Sequence, residues 1–72
     1  MDMQIDSHIA KRLRTRRRLA GLTLNEVACR AGVSFQQVQK YETAANRISA
    51  AKLWLLARAL ETEAGYFFEG LN

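Results

Sequence analysis

The strongest constraint in this chain is a helix-start signal that occurs twice, eleven residues apart. In Leu22-Thr23-Leu24-Asn25-Glu26-Val27, Thr23 fits an N-cap and Glu26 its reciprocal capping-box partner, while Leu22 and Val27 can close a hydrophobic staple over the first turn. In Val33-Ser34-Phe35-Gln36-Gln37-Val38, Ser34 takes the cap, Gln37 the box position, and Val33 with Val38 the staple. Ala31-Gly32-Val33 separates the two, and Gly32 stands where a left-handed residue is needed to end the first helix. Two short, individually capped helices about a glycine turn predict a helix-turn-helix.

The second of these helices has a divided circumference. Val38 and Tyr41, three apart, share the face that points inward. Phe35, Gln36, Gln39 and Lys40 occupy the rest, with no acid before Glu42. Amide side chains presented this way match the N6/N7 edge of adenine in a major groove, so Gln36 is the first candidate for a base contact. Phe35 can pack on a thymine methyl, and Lys40 can reach a guanine or a phosphate. Gln37 either contacts a base or closes the capping box. Thr23, Asn25, Ser34, Gln39, Arg47 and Arg14 are the candidate phosphate contacts; the free amides at the start of the second helix point the same way.

Seventy-two residues make one domain. With no proline, four glycines and no sustained period of two, the chain reads as all-α. The expected organisation is a loose arm over 1–7, helix 1 over 8–20, helix 2 over 24–31, recognition helix 3 over 35–43, helix 4 over 50–60 and helix 5 over 64–69. Asp6 or Ser7 caps helix 1, with Ile9, Leu13 and Ala20 inward; Ser49 caps helix 4, with Leu53, Leu56, Ala57 and Leu60 as its core stripe. Trp54 and Leu55 lie off that stripe, and Tyr66, Phe67, Phe68 and Leu71 are more apolar bulk than one short helix can bury. These six side chains are the candidate dimer or partner surface.

All eleven Lys and Arg lie between Lys11 and Arg58, a span that holds two acids, Glu26 and Glu42. That distribution suits a polyanionic partner, or simply a well-solvated surface. A single His8, a single Cys29 and scattered acids supply neither a base–nucleophile pair nor a metal-ligand set, so no enzyme, metal or cofactor is expected. Cys29 cannot form an internal disulfide, which fits a reducing, cytoplasmic compartment. No apolar run approaches a membrane span, and the acidic start Met1-Asp2-Met3-Gln4 is not a signal peptide.

Leu13 and Arg17, Gly21-Leu22-Thr23, Val27-Ala28, Ala31-Gly32-Val33-Ser34, Val38 and Lys40-Tyr41-Glu42 together resemble the lambda-repressor/Cro-like helix-turn-helix domains of the xenobiotic-response-element type. The continuation Ala45-Asn46-Arg47-Ile48-Ser49-Ala50 and Phe67-Phe68-Glu69-Gly70-Leu71 is similar to a branch of alphaproteobacterial regulators. The resemblance implies a compact five-helix domain and a sequence-specific regulator of double-stranded DNA. It implies a repressor acting as a homodimer on a palindromic operator, in a bacterial or phage setting and on the nucleoid when bound. It also implies an ion pair between Arg17 and Glu42, and a glycine where this chain has Ala44, a duty that Asn46 is expected to take over. Some members of the fold are antitoxins that bind a protein toxin and repress their own operon, so a toxin or an effector domain is the alternative partner.

Overall fold

The computed structural model describes residues 2–71. Four α-helices, α1 (Asp2–Leu19), α2 (Leu24–Ala31), α3 (Phe35–Glu42) and α4 (Ala50–Ala59), are followed by a 3-10 turn (Ala64–Phe68). No strand occurs among the described residues. The segment expected as a fifth helix over 64–69 is thus a single tight turn, closed by Tyr66 N–H to Glu63 O at 3.0 Å and Glu69 N–H to Tyr66 O at 3.3 Å. With Gly65 inside it and no side-chain cap at Glu63, the segment has too little to propagate an α-helix.

The loose arm is also corrected. Residues 2–7 continue α1, and Asp6 and Ser7, read as alternative caps, lie within it. Met1, the rest of that arm, is outside the described residues. The added turns are tethered from outside the helix. The Arg47 Nε donates to Asp6 Oδ2 at 3.0 Å, and His8, expected on the open surface, is half-buried with Nε2 donating to Glu69 O at 2.6 Å. At the other end α1 stops at Leu19, where Gly21 adopts φ +71° and Ala20 is exposed rather than inward; Ala10 and Leu13 are the buried residues.

The capping grammar is realised in full once. Thr23 Oγ1 accepts from the Glu26 amide at 3.1 Å, and the Thr23 amide donates to Glu26 Oε1 at 2.8 Å. At α3, Ser34 Oγ accepts from the Gln37 amide at 3.1 Å, but Gln37 does not reach back. Glu26 offers a full negative charge to a helix N-terminus, whereas the neutral Gln37 amide gains little there. Gly32, at φ +75°, ends α2 as expected. Ser49 Oγ accepts from the Lys52 amide at 3.1 Å to start α4, and Leu60 is the C-cap, so α3 and α4 each end one residue earlier than expected.

The core lies between α1, α2, α3, α4 and the 3-10 turn, with α2 packed on both α3 and α4, and α1 on both α3 and the turn. Leu13, Val27, Val38, Leu56, Leu60 and Phe67 are almost wholly excluded from water, and the staple residues Leu22, Val33 and Ile48 pack on their rim. Removing a side chain such as Phe67 from a site like this costs about 3–5 kcal/mol. Two arginines close the far end of α4. Arg16 Nε donates to Leu60 O at 3.2 Å and its Nη2 to Glu61 O at 3.3 Å, while Arg30 Nη1 donates to Ala59 O at 3.3 Å. Cations are stabilising at carbonyl-rich helix ends.

Arg17 and Glu42 join α1 to the end of α3. Arg17 Nε and Nη2 donate to the two Glu42 oxygens at 2.6 and 3.0 Å, and Nη1 donates to Leu22 O at 3.0 Å. Only 14% of the Arg17 side chain and 6% of Glu42 is exposed, so the fork is largely desolvated. Hydrogen bonding to Glu42 raises the guanidinium pKa above its ordinary value, against the opposing effect of burial and helped by the Glu42 charge.

The loop after α3 keeps the left-handed residue at Ala44, with φ +61°, and does not pass it to Asn46. The reason is the hydrogen bonding around it. The Ala45 and Asn46 amides both return to Lys40 O, at 2.9 and 3.3 Å, which fixes the reversal at residue 44. A left-handed alanine costs about 1–2 kcal/mol.

Two substitutions test these points. Ala44→Gly removes that strain, partly offset by the greater freedom of glycine in the unfolded chain. It should raise stability by about 0.5–1 kcal/mol, read as a higher urea midpoint at unchanged slope; a lower midpoint would refute the strain. Arg17→Met leaves Glu42 buried and unpaired and should cost about 3–5 kcal/mol. The double change Arg17→Met with Glu42→Leu should restore most of it, and a double variant no better than the single one would show that the pair is not what is lost.

Candidate nucleic-acid interface

Val38 and Tyr41 are 0% and 6% exposed, and they fix the rotation of α3 about its own axis. Ser34, Phe35, Gln36, Gln39 and Lys40 are consequently exposed together, and Gln37 is half-buried. Because no box bond holds the Gln37 side-chain amide to the Ser34 backbone, that side chain is available to the same outward face. The four polar side chains Gln36, Gln37, Gln39 and Lys40 offer donors and acceptors, while Phe35 adds an apolar contact at the helix start.

A second row lies beside this one. Thr23 and Asn25 are exposed at the start of α2. Arg14 from α1 borders a shallow concavity with Leu24, Gln39 and Thr43, whose floor includes the Arg17–Glu42 pair. Ser34 uses a hydroxyl lone pair for capping, which leaves its O–H proton to donate outward. The first amides of α2 and α3 add donors with a positive dipole end behind them.

Two acids lie near this face, and each is held by local partners. Glu42 is held by Arg17. Glu26 receives hydrogen bonds from the Thr23 amide and then the Thr23 hydroxyl, which lower its pKa below the usual carboxylate value, against slight desolvation and with help from Arg30. A lowered folded-state pKa means that this cap is fully stabilising above the ordinary carboxylate pKa. It is lost as the pH falls through the lower, folded value.

The remaining predicted residues divide. Arg47 is 69% exposed, but it is engaged in an ion pair with Asp6. Of the candidate partner surface, Trp54, Phe68 and Leu71 are 55%, 44% and 37% exposed, with the Arg58 guanidinium 4.9 Å from the Trp54 ring centroid. Leu55 is half-buried. Phe67 is fully buried and does not belong to any surface, and Tyr66 packs against the core edge-to-face with it, 5.5 Å between centroids. The Tyr66 hydroxyl donates to Arg12 O at 3.1 Å, while Arg12 Nε donates to Tyr66 O at 2.9 Å and its guanidinium stacks 3.7 Å over the ring. A 3-10 turn sends consecutive side chains in widely different directions, and this separates inward Phe67 from outward Phe68.

Sequence reasoning missed Asp6, Arg12 and Arg16 as structural partners. Their contacts lie 41 to 57 residues away along the chain, and no local pattern marks them. Cys29 is exposed. Among the described residues no three His, Cys, Asp or Glu side chains are grouped to hold a metal, and no helix is long and apolar enough to cross a membrane.

Residues 13–67 match the helix-turn-helix family HTH_3. The chain is 48% identical over 68 residues to the uncharacterized transcriptional regulator in ATPase CF(0) region of Rhodospirillum rubrum, covering 94% of this chain and 63% of that one. An HTH_3 family transcriptional regulator from Vibrio cholerae superposes with a TM-score of 0.89 at 32% identity, over 94% of this chain and 38% of that one. The P22 c2 repressor, solved in complex with a synthetic operator, superposes with a TM-score of 0.79 over 86% of this chain and 94% of that one; at 22% identity this likeness shows the fold. The chain therefore spans under two thirds of the length of the first two regulators. With its capped α2 and α3 set about Gly32 and its match over most of its length, this chain belongs to the lambda-repressor/Cro-like HTH_3 helix-turn-helix family.

Proposed function

We propose that the chain binds double-stranded DNA in a sequence-specific manner and acts as a transcriptional repressor. α3 enters the major groove N-terminus first, and α2 lies across the backbone. The observation that carries this reading is the α3 face itself: Phe35, Gln36, Gln39 and Lys40 exposed, with Val38 and Tyr41 buried directly behind. Gln36 reads an adenine, Phe35 a thymine methyl, and Lys40 a guanine or its phosphate. Gln37 joins them as a second amide reader. Thr23, Asn25, Ser34, Gln39 and Arg14 grip phosphates and supply the salt-dependent part of the affinity. The net charge of +4 favours approach to a polyanion.

The protein acts as a homodimer on a palindromic operator, with half-sites about one helical turn apart or a multiple of it. Exposed Trp54, Phe68 and Leu71 support such a self-contact, and Leu55 borders it. Occupying a promoter in the cytoplasm, on the nucleoid, requires no effector pocket within the domain. The names of the regulators it resembles agree with this role.

Selection of bound duplexes from a random pool tests the reading and returns the preferred site with its half-site spacing. On that site Gln36→Ala should cost about 1–3 kcal/mol of discrimination at one adenine position and leave binding to unrelated duplexes nearly unchanged. An equal loss on every sequence would remove Gln36 from the base-reading role.

A further inference from the structure

The Asp6–Arg47 pair sits in an unusual place for an acid. Arg47 belongs to the loop that leaves α3, between Asn46 and Ile48. It shares a shallow concavity with Asp6, Ile9, Asn46 and the α3 anchor Tyr41. Asp6 lies in the second turn of α1, which is helical from Asp2 onward. The carboxylate is the better shielded partner, with 28% of its side chain exposed against 69% for Arg47, and its Oδ2 lies 3.0 Å from Arg47 Nε. A guanidinium recognises a carboxylate and a phosphate with the same donor fork. Any phosphate that Arg47 grips is therefore brought close to an anion already docked there.

We propose that Asp6 is a built-in competitor of DNA phosphate at Arg47. This rests on the DNA-binding reading and adds to it a device that weakens binding without touching a base. In the free protein the carboxylate occupies Arg47. On the duplex a backbone phosphate takes its place, and Asp6 turns to water. The device acts on affinity and on its salt dependence, equally for every sequence, because a phosphate carries no sequence information.

The ion balance gives a specific signature. Each phosphate neutralised releases about 0.9 of a counterion from duplex DNA. A carboxylate set free beside the duplex leaves a negative charge there, so part of the release at Arg47 is cancelled. The unmodified chain then shows a shallower salt dependence than its count of phosphate contacts implies. Asp6→Asn removes this competitor and restores the part of the release that it cancels. An exposed ion pair contributes about 0.2–1 kcal/mol; its removal as a competitor corresponds to at most about a five-fold tightening.

The test uses a short mixed-sequence duplex titrated by fluorescence anisotropy from about 50 to about 200 mM salt. Asp6→Asn should bind up to about five-fold tighter at the low-salt end, with a log–log salt slope steeper by up to about 0.9. Asp6→Ala should do the same, and thermal melts establish that both variants are folded at the assay temperature. Adding Arg47→Ala to either variant should abolish the gain. Unchanged affinity and slope overturn the proposal, and so does weaker binding, which would make Asp6 an orienting partner of Arg47. Binding by all variants with one common slope sinks this proposal alone, whereas no binding by the unmodified chain or by Asp6→Asn sinks the DNA reading with it.

Discussion

The fork between Arg17 and Glu42 is the contact on which the arrangement depends. It joins the last turn of the domain's longest helix to the last residue of α3, and through Nη1 it also holds the carbonyl of Leu22 at the entrance to α2. One side chain thus fixes three elements relative to each other. A hydrophobic contact at the same place would tolerate rotation and sliding, whereas a planar fork with two oxygens at 2.6 and 3.0 Å accepts one geometry. The pair also removes a negative charge from the edge of the surface that α3 and α2 present. Stability and interface electrostatics meet in this one interaction.

A similar economy governs the other cations of α1. Arg12 is committed to Tyr66 and Glu69, and Arg16 to the Leu60 and Glu61 carbonyls just past α4. Lys11, Arg14 and Arg18 remain on the exposed side. A basic helix read as one charged strip is therefore two populations, one acting as internal staples and the other facing solvent. A phosphate-contact estimate based on the summed charge of α1 would be too high for this reason.

What was legible in the sequence was local. The N-caps Thr23, Ser34 and Ser49, the left-handed Gly32, and the inward pair Val38 and Tyr41 depend on neighbours within a few residues. The Arg17–Glu42 pair, 25 residues apart, came from family resemblance and not from spacing. The opening turns of α1 were missed because their support comes from Arg47 and Glu69, far along the chain. The fate of the aromatic cluster was unreadable for a related reason. Whether Tyr66, Phe67 or Phe68 turns inward depends on the tight 3-10 geometry, and composition cannot distinguish that from an α-helix. The strained Ala44 is a case where alanine looks wrong locally, yet paired hydrogen bonds to Lys40 O impose the backbone anyway.

The surface proposed to meet the duplex is the outer face of α3. Backbone and side-chain amide NMR shifts, followed while a selected duplex is added, test it directly. The largest changes should fall at Ser34, Phe35, Gln36, Gln39 and Lys40, with a second cluster at Thr23 and Asn25. Changes confined to Trp54, Phe68 and Leu71, with the α3 glutamines unmoved, would contradict it.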